Sequence, residues 1–158
     1  MRVLTLTLAA LALIAPMAAQ AQELDDKITY VRADDPVMKA AVAEARRRLP
    51  EFLAHLANPA PGERGFTIKY DLLPEPDKGE NIWVDVISSS PGFILGRLAN
   101  VPLDPRFKLG EKVTVAHAEI LDWGYIRDGV MQGNFTTRAL LPRYSPEEAD
   151  QIRKAYGW

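Results

Sequence analysis

The 158-residue chain has no cysteine, which excludes disulfide staples, thiol catalysis, CxxC redox chemistry, thiolate metal sites and a lipidated N-terminal cysteine. Packing alone must hold the fold. It has only two histidines, so a metal site would need carboxylates around one or both of them. No apolar run reaches the roughly 20 residues of a membrane-spanning helix. A large excess of either charge is missing too: 19 basic residues against 21 acidic ones give a formal net charge of −2. That balance offers no electrostatic pull toward nucleic acid or an anionic membrane. The chain contains no G-x-S-x-G elbow, phosphate loop or dinucleotide fingerprint, and no cofactor is implied.

What is present begins with an address. Met1-Arg2 carries a positive charge, Val3 to Ala15 is apolar apart from Thr5 and Thr7, and Ala19-Gln20-Ala21 has the small-x-small form of a cleavage site. Residues 1–21 read as a cleavable signal peptide, which sends the protein to the periplasm or beyond without a remaining anchor. Residues 22–35 then form an N-terminal arm, a loose segment or a short edge strand, and residues 36–158 a single domain.

Asp34-Asp35-Pro36 starts a helix, because Asp35 can cap free N–H groups and proline suits the first helical position. Met38, Val42, Ala45, Leu49, Phe52 and Leu56 keep one helical face apolar. Glu44 and Arg48 are spaced to pair one turn apart. Arg46-Arg47-Arg48 reads as a solvated face. Pro50 either kinks this helix or starts a second piece on the same surface, and the unbroken apolar phase favours a kink or tight break. Asn58 to Gly62 ends it.

From Gly65 the period becomes two. Phe66, Ile68, Tyr70 and Leu72 mark the buried face of a strand. A turn over Pro74 to Gly79 leads to a second strand around Ile82, Val84 and Val86, a turn over Ser88 to Gly92, and a third strand from Phe93 to Ala99. Gly96 in that strand predicts a close backbone approach or a bend. Asn100 to Gly110 is a long surface connection. Val113 and Val115 mark a fourth strand and Ile120 to Ile126 a fifth. Asp128-Gly129 is a two-residue hairpin turn that should return Val130 to Thr136 as a sixth. Ser145-Pro146-Glu147-Glu148 is a capping box for a last helix, with Gly157 as its left-handed cap and Trp158 folding back on Ile152. The fold class is α+β: an N-terminal helix kinked near Pro50, an antiparallel sheet of five to six strands that can roll toward a small open barrel, and a short C-terminal helix.

The chain resembles a bacterial family of uncharacterised proteins, domain of unknown function 2314. The likeness rests on Leu49-Pro50-Glu51-Phe52-Leu53, Ile82-Trp83-Val84, Gly96-Arg97-Leu98-Ala99-Asn100 with Pro102, Leu109-Gly110-Glu111-Lys112-Val113, Ile120-Leu121-Asp122-Trp123 and Gly133-Asn134-Phe135-Thr136-Thr137-Arg138. Together these span most of residues 36–141. The resemblance implies an independently folding module and brings no catalytic residues with it.

Five residues are candidates for binding: Trp83, Asp122, Trp123, Thr136 and Arg138. Asp122 and Arg138 are expected to meet across the hairpin with Thr136 beside them, tying it together. In the functional alternative, Arg138 and Trp123 line a pocket for an anionic or planar ligand. Trp83 is expected under a helix or the long loop. His117-x-Glu119 places an imidazole and a carboxylate on one side of a strand, the weak candidate for a metal or an acid–base pair, with His55 as a possible third ligand. A non-catalytic binding module for a protein, peptide or small anionic ligand is favoured. The alternative is a small periplasmic hydrolase or lyase using His117, Glu119, Asp122 and Arg138.

Overall fold

A computed structural model describes residues 35–73 and 79–158. The expected leader, nearly all of the arm and most of the turn at Pro74 lie outside the described residues. Helix α1 (Pro36–Arg47) is capped by the Asp35 carboxylate, which accepts from the Val37 and Met38 amides. Helix α2 (Leu49–Ala57) follows after Arg48 and carries Pro50 near its start, where the missing amide costs no hydrogen bond. The proline therefore splits the helix. Glu44 pairs with Arg47 and Arg48 with Glu51, in place of the expected Glu44 to Arg48 pair.

Among the described residues six strands form one antiparallel sheet: β1 (Glu63–Asp71), β2 (Asn81–Ser90), β3 (Phe93–Leu98), β4 (Lys112–Ala116), β5 (Asp122–Arg127) and β6 (Val130–Gly133), in the order β4-β3-β2-β1-β5-β6. The sheet is open, with β4 and β6 at its edges, and does not roll into a barrel. Strand β2 runs through Ser88 to Ser90, so the turn is confined to Pro91-Gly92. Gly96 permits the close approach its position suggested: a Cβ there would lie 2.2 Å from Val84 Cγ1 and 2.6 Å from Asp85 O. Asp128 and Gly129 both have positive φ, as the hairpin turn requires.

Register assigns the faces. Ile68 pairs with Val84 and with Trp123, and Tyr70 with Ile82, so these residues share the face covered by α1 and α2. Phe52, Ile68, Val84, Ile94 and Val115 are fully enclosed in that core. Lys69 pairs with Trp83 and with Asp122, placing all three on the opposite face. On that second face Ile126 and Met131 meet Ile152 and Tyr156 of the last helix, α4 (Pro146–Tyr156), and Trp158 just beyond it. Gly157 caps α4 with φ +72.

The sixth strand is shorter than expected. It ends at Gly133, and Asn134 in the left-handed region (φ +54) turns the chain into a six-residue helix, α3 (Phe135–Leu140). Ser145 caps α4 by accepting from the Glu148 amide while Glu148 bonds the Ser145 amide in return. Ser145→Ala should cost about 1 kcal/mol in urea denaturation, the usual value of such a cap.

Candidate functional site

Asp122 opens β5 on the second face and is completely buried. Its Oδ1 accepts from the amides of Trp123 (2.8 Å) and Phe135 (3.2 Å), and its Oδ2 from the Thr136 amide (2.7 Å) and hydroxyl (2.6 Å). The carboxylate thus fills the free donors at the start of α3, a cap supplied from another element. Lys69 Nζ donates to the same Thr136 hydroxyl at 3.3 Å and stands 4.6 Å from the centre of the Trp83 ring. Burial pushes the Asp122 carboxyl above its usual range, against the opposing pull of Thr136 and the Lys69 charge.

The structure therefore gathers Trp83, Asp122 and Thr136 around Lys69, a residue the sequence patterns did not single out. All three are enclosed. Trp123 points to the other face, where its indole N–H donates to Ala45 O at 2.8 Å and its ring meets Phe52 at 5.3 Å. The expected Asp122 to Arg138 contact is not formed, because Thr136 and Arg138 lie on α3 and not on a strand facing β5. Arg138 instead donates to the carbonyls of Gly133 and Met131 and stacks 3.7 Å from the Trp158 ring centre. Arg138 and Trp123 are accordingly not partners in one pocket.

His117 and Glu119 do not share a strand face. They sit on a one-turn 3-10 helix after β4, where Glu119 accepts from the Ala116 amide. His117 Nε2 is enclosed without a hydrogen-bond partner. A shallow cleft of about 280 Å³ beside this turn is lined by Arg46, Asp71, Ala118, Glu119 and Leu121. His55 is held elsewhere, and among the described residues no three His, Asp or Glu side chains are grouped to hold a metal. The four residues of the hydrolase or lyase alternative do not converge.

Two features escaped sequence reading. The first lies where α2 ends over β1 and β5. Glu63, its side chain fully enclosed, accepts from Arg127 Nε (2.8 Å) and the Ala60 amide (2.9 Å) and bonds His55 Nδ1 (3.2 Å). Arg127 Nη2 donates to the Tyr125 hydroxyl at 2.7 Å and lies 3.1 Å from His55 Nε2. Glu63 holds the guanidinium still more firmly charged than usual. The pairing of Glu63 with Arg127 across β1 and β5 is non-local, so no spacing in the sequence announced it.

The second is the connection from β3 to β4. Asn100 Oδ1 accepts from the Trp83 amide, buried Glu80 accepts from the amides of Leu103 (2.6 Å) and Asp104 (3.4 Å), and Gly110 donates back to Leu98 O. Those bonds fix the loop's backbone. Val101, Leu103 and Leu109 nevertheless stand outward, 73%, 67% and 58% exposed.

A family model described as "Uncharacterized protein conserved in bacteria (DUF2314)" matches residues 35–158, reaching the C-terminal Trp158. The chain is 28% identical over 132 residues to "Uncharacterized protein YegJ" of Escherichia coli (strain K12), covering 83% of this chain and 84% of that one. It is also 32% identical over 146 residues to "Putative ankyrin repeat protein NMB1133/NMB1171" of Neisseria meningitidis serogroup B, covering 84% of this chain but 56% of the relative. No solved structure matches it at a significant level.

Proposed function

We propose, from the premise that this chain belongs to the DUF2314 family of uncharacterised bacterial proteins, that it is an exported, non-catalytic binding module. Its contact surface is the β3–β4 loop, and its occupant is a protein partner. The observation that carries this reading is the loop itself. Three large aliphatic side chains are displayed to solvent on a backbone pinned by Glu80 and Asn100. A fixed backbone loses little conformational entropy when a partner docks. Asp104, Arg106 and Lys108 stand between Leu103 and Leu109, and Glu111 follows them. A rim of both charge signs around apolar anchors fits a protein surface and offers nothing to an anionic membrane.

In this reading Trp83, Asp122, Trp123 and Thr136 are scaffold, because burial keeps them from touching a partner. Export is supported by the composition of residues 1–21. Among the described residues no helix is long and apolar enough to cross a membrane.

A photo-crosslinking residue at Leu103, introduced into the full chain in its own host, tests the loop. A discrete crosslinked partner should appear, and disappear when Val101 and Leu109 are changed to Ser. Urea denaturation of that double variant should shift by no more than about 0.5 kcal/mol, as for ordinary surface changes. Equal crosslinking from a control residue at Thr114 would overturn the proposal. Export is read separately: mass spectrometry of the periplasmic fraction should find a chain beginning at Gln22, and an intact Met1 chain confined to the cytoplasm would remove that part.

A further inference from the structure

We infer that His55, Tyr125 and Arg127 form a binding site for a small oxyanion, a carboxylate or phosphate group, separate from the β3–β4 loop. The argument is a count of donors and acceptors. Arg127 has five N–H donors, Tyr125 one O–H, and His55 one or two N–H according to its protonation. The charged acceptor facing them is Glu63, and both of its oxygens are engaged: Oε1 by Arg127 Nε and Nη2, each at 2.8 Å, and Oε2 by the Ala60 amide and His55 Nδ1. The Tyr125 oxygen accepts from Arg127 Nη2. Its own proton meets no acceptor among the described residues, although Tyr125 is only 1% exposed. The Nη1 donors of Arg127 meet none there either. The cluster thus holds more donors than its acceptors can serve, and an incoming oxyanion would supply what is missing.

Placement of charge favours the same occupant. The Glu63 side chain is fully enclosed, whereas those of His55 and Arg127 are 31% and 39% exposed. The negative partner lies behind and the cationic fork faces water. Nearby, Glu51 is already paired with Arg48. The donors are also rigid. Tyr125 is stacked between Phe66 (5.0 Å, 10° between planes) and His55 (5.3 Å, 29°), so its hydroxyl and the imidazole are fixed before any ligand arrives. Pre-positioned donors bind without paying to be ordered. The Nη1 donors left on the guanidinium can meet an oxygen of either a carboxylate or a phosphate.

NMR titration of the folded chain at constant ionic strength tests this, with inorganic phosphate in one arm and succinate in the other. Saturable shifts should appear at His55, Tyr125 and Arg127, and the arm with tighter binding identifies the preferred group. Arg127→Gln should abolish saturation, while Arg153→Gln, on the far helix, should leave it intact. Because Arg127 also steadies Glu63, Arg127→Lys is the second variant. It keeps the charge but not the fork, and should weaken binding by roughly tenfold or more, the value of one charge-assisted hydrogen bond. Shifts that never saturate in the native chain, or saturation that survives both Arg127 substitutions, would overturn the inference.

Discussion

Asp122→Ala should destabilise the domain by about 3–5 kcal/mol, the range seen when one member of a buried charged network is removed. Four donors lose their acceptor at once: the amides of Trp123, Phe135 and Thr136 and the Thr136 hydroxyl. Lys69 would remain, with the charge that opposed it gone. Urea denaturation measures the total, and amide exchange locates it, since Phe135 and Thr136 should lose protection before the β1–β2 pair. A loss below about 1 kcal/mol would show that α3 does not depend on this cap.

The same residue has a signature in pH. Burial raises the Asp122 carboxyl above its unfolded value, so between those two values the native state holds a proton that the unfolded chain has released. Its contribution to stability is full below the unfolded value and is lost as pH rises through the folded one. Asp122→Asn cannot titrate, and its stability should therefore fall less steeply than the wild type's over that interval. Parallel curves would mean that the carboxyl has the same affinity for protons in both states.

Trp83→Ala should also cost about 3–5 kcal/mol, as expected for a large aromatic truncated where the surroundings cannot collapse onto the gap. The ring is 4% exposed and carries the Lys69 ammonium over its face. The main-chain bonds from Trp83 to Asn100 and Ala99 hold the root of the β3–β4 loop and should survive, because they do not involve the indole. Chemical denaturation gives the magnitude. Loss of the Lys69 side-chain shift caused by the ring current confirms the mechanism. A change under about 1 kcal/mol would place the indole outside the packed interior.

Features written in adjacent residues were legible in the sequence. Asp35-Pro36, the Ser145 capping box, Asp128-Gly129 and Gly157 each set a local backbone state with a side chain a few residues away, and each is found in place. The alternation from Phe66 to Leu72 fixed the buried face of β1, because period two permits only one assignment. Helix α3 was read as strand for the opposite reason. Six residues are too few to display a helical period, and the carboxylate that caps them stands at Asp122, on another element. The site residues divide in the same manner. Trp83 and Asp122 drew notice as unusual residues within patterned segments, but their common neighbour Lys69 did not, since a lysine alternating with apolar residues resembles any wet strand face. Glu63, Tyr125 and Arg127 were passed over because β1 and β5 must pair before they become a cluster.

The strand order has a kinetic side. From β1 to β4 every strand pairs with its neighbour in the chain, so that meander can assemble by closing one connection at a time between successive strands. Strand β5 has no such route: it must return across the finished meander to β1, bringing Trp123 beside Ile68. Long-range pairing of this kind is the slow step in antiparallel folds. The seam between β1 and β5 should therefore close last, and with it arrive Asp122, the helix it caps and the His55 cluster. Until that moment the chain can hold most of its sheet and none of its proposed oxyanion site.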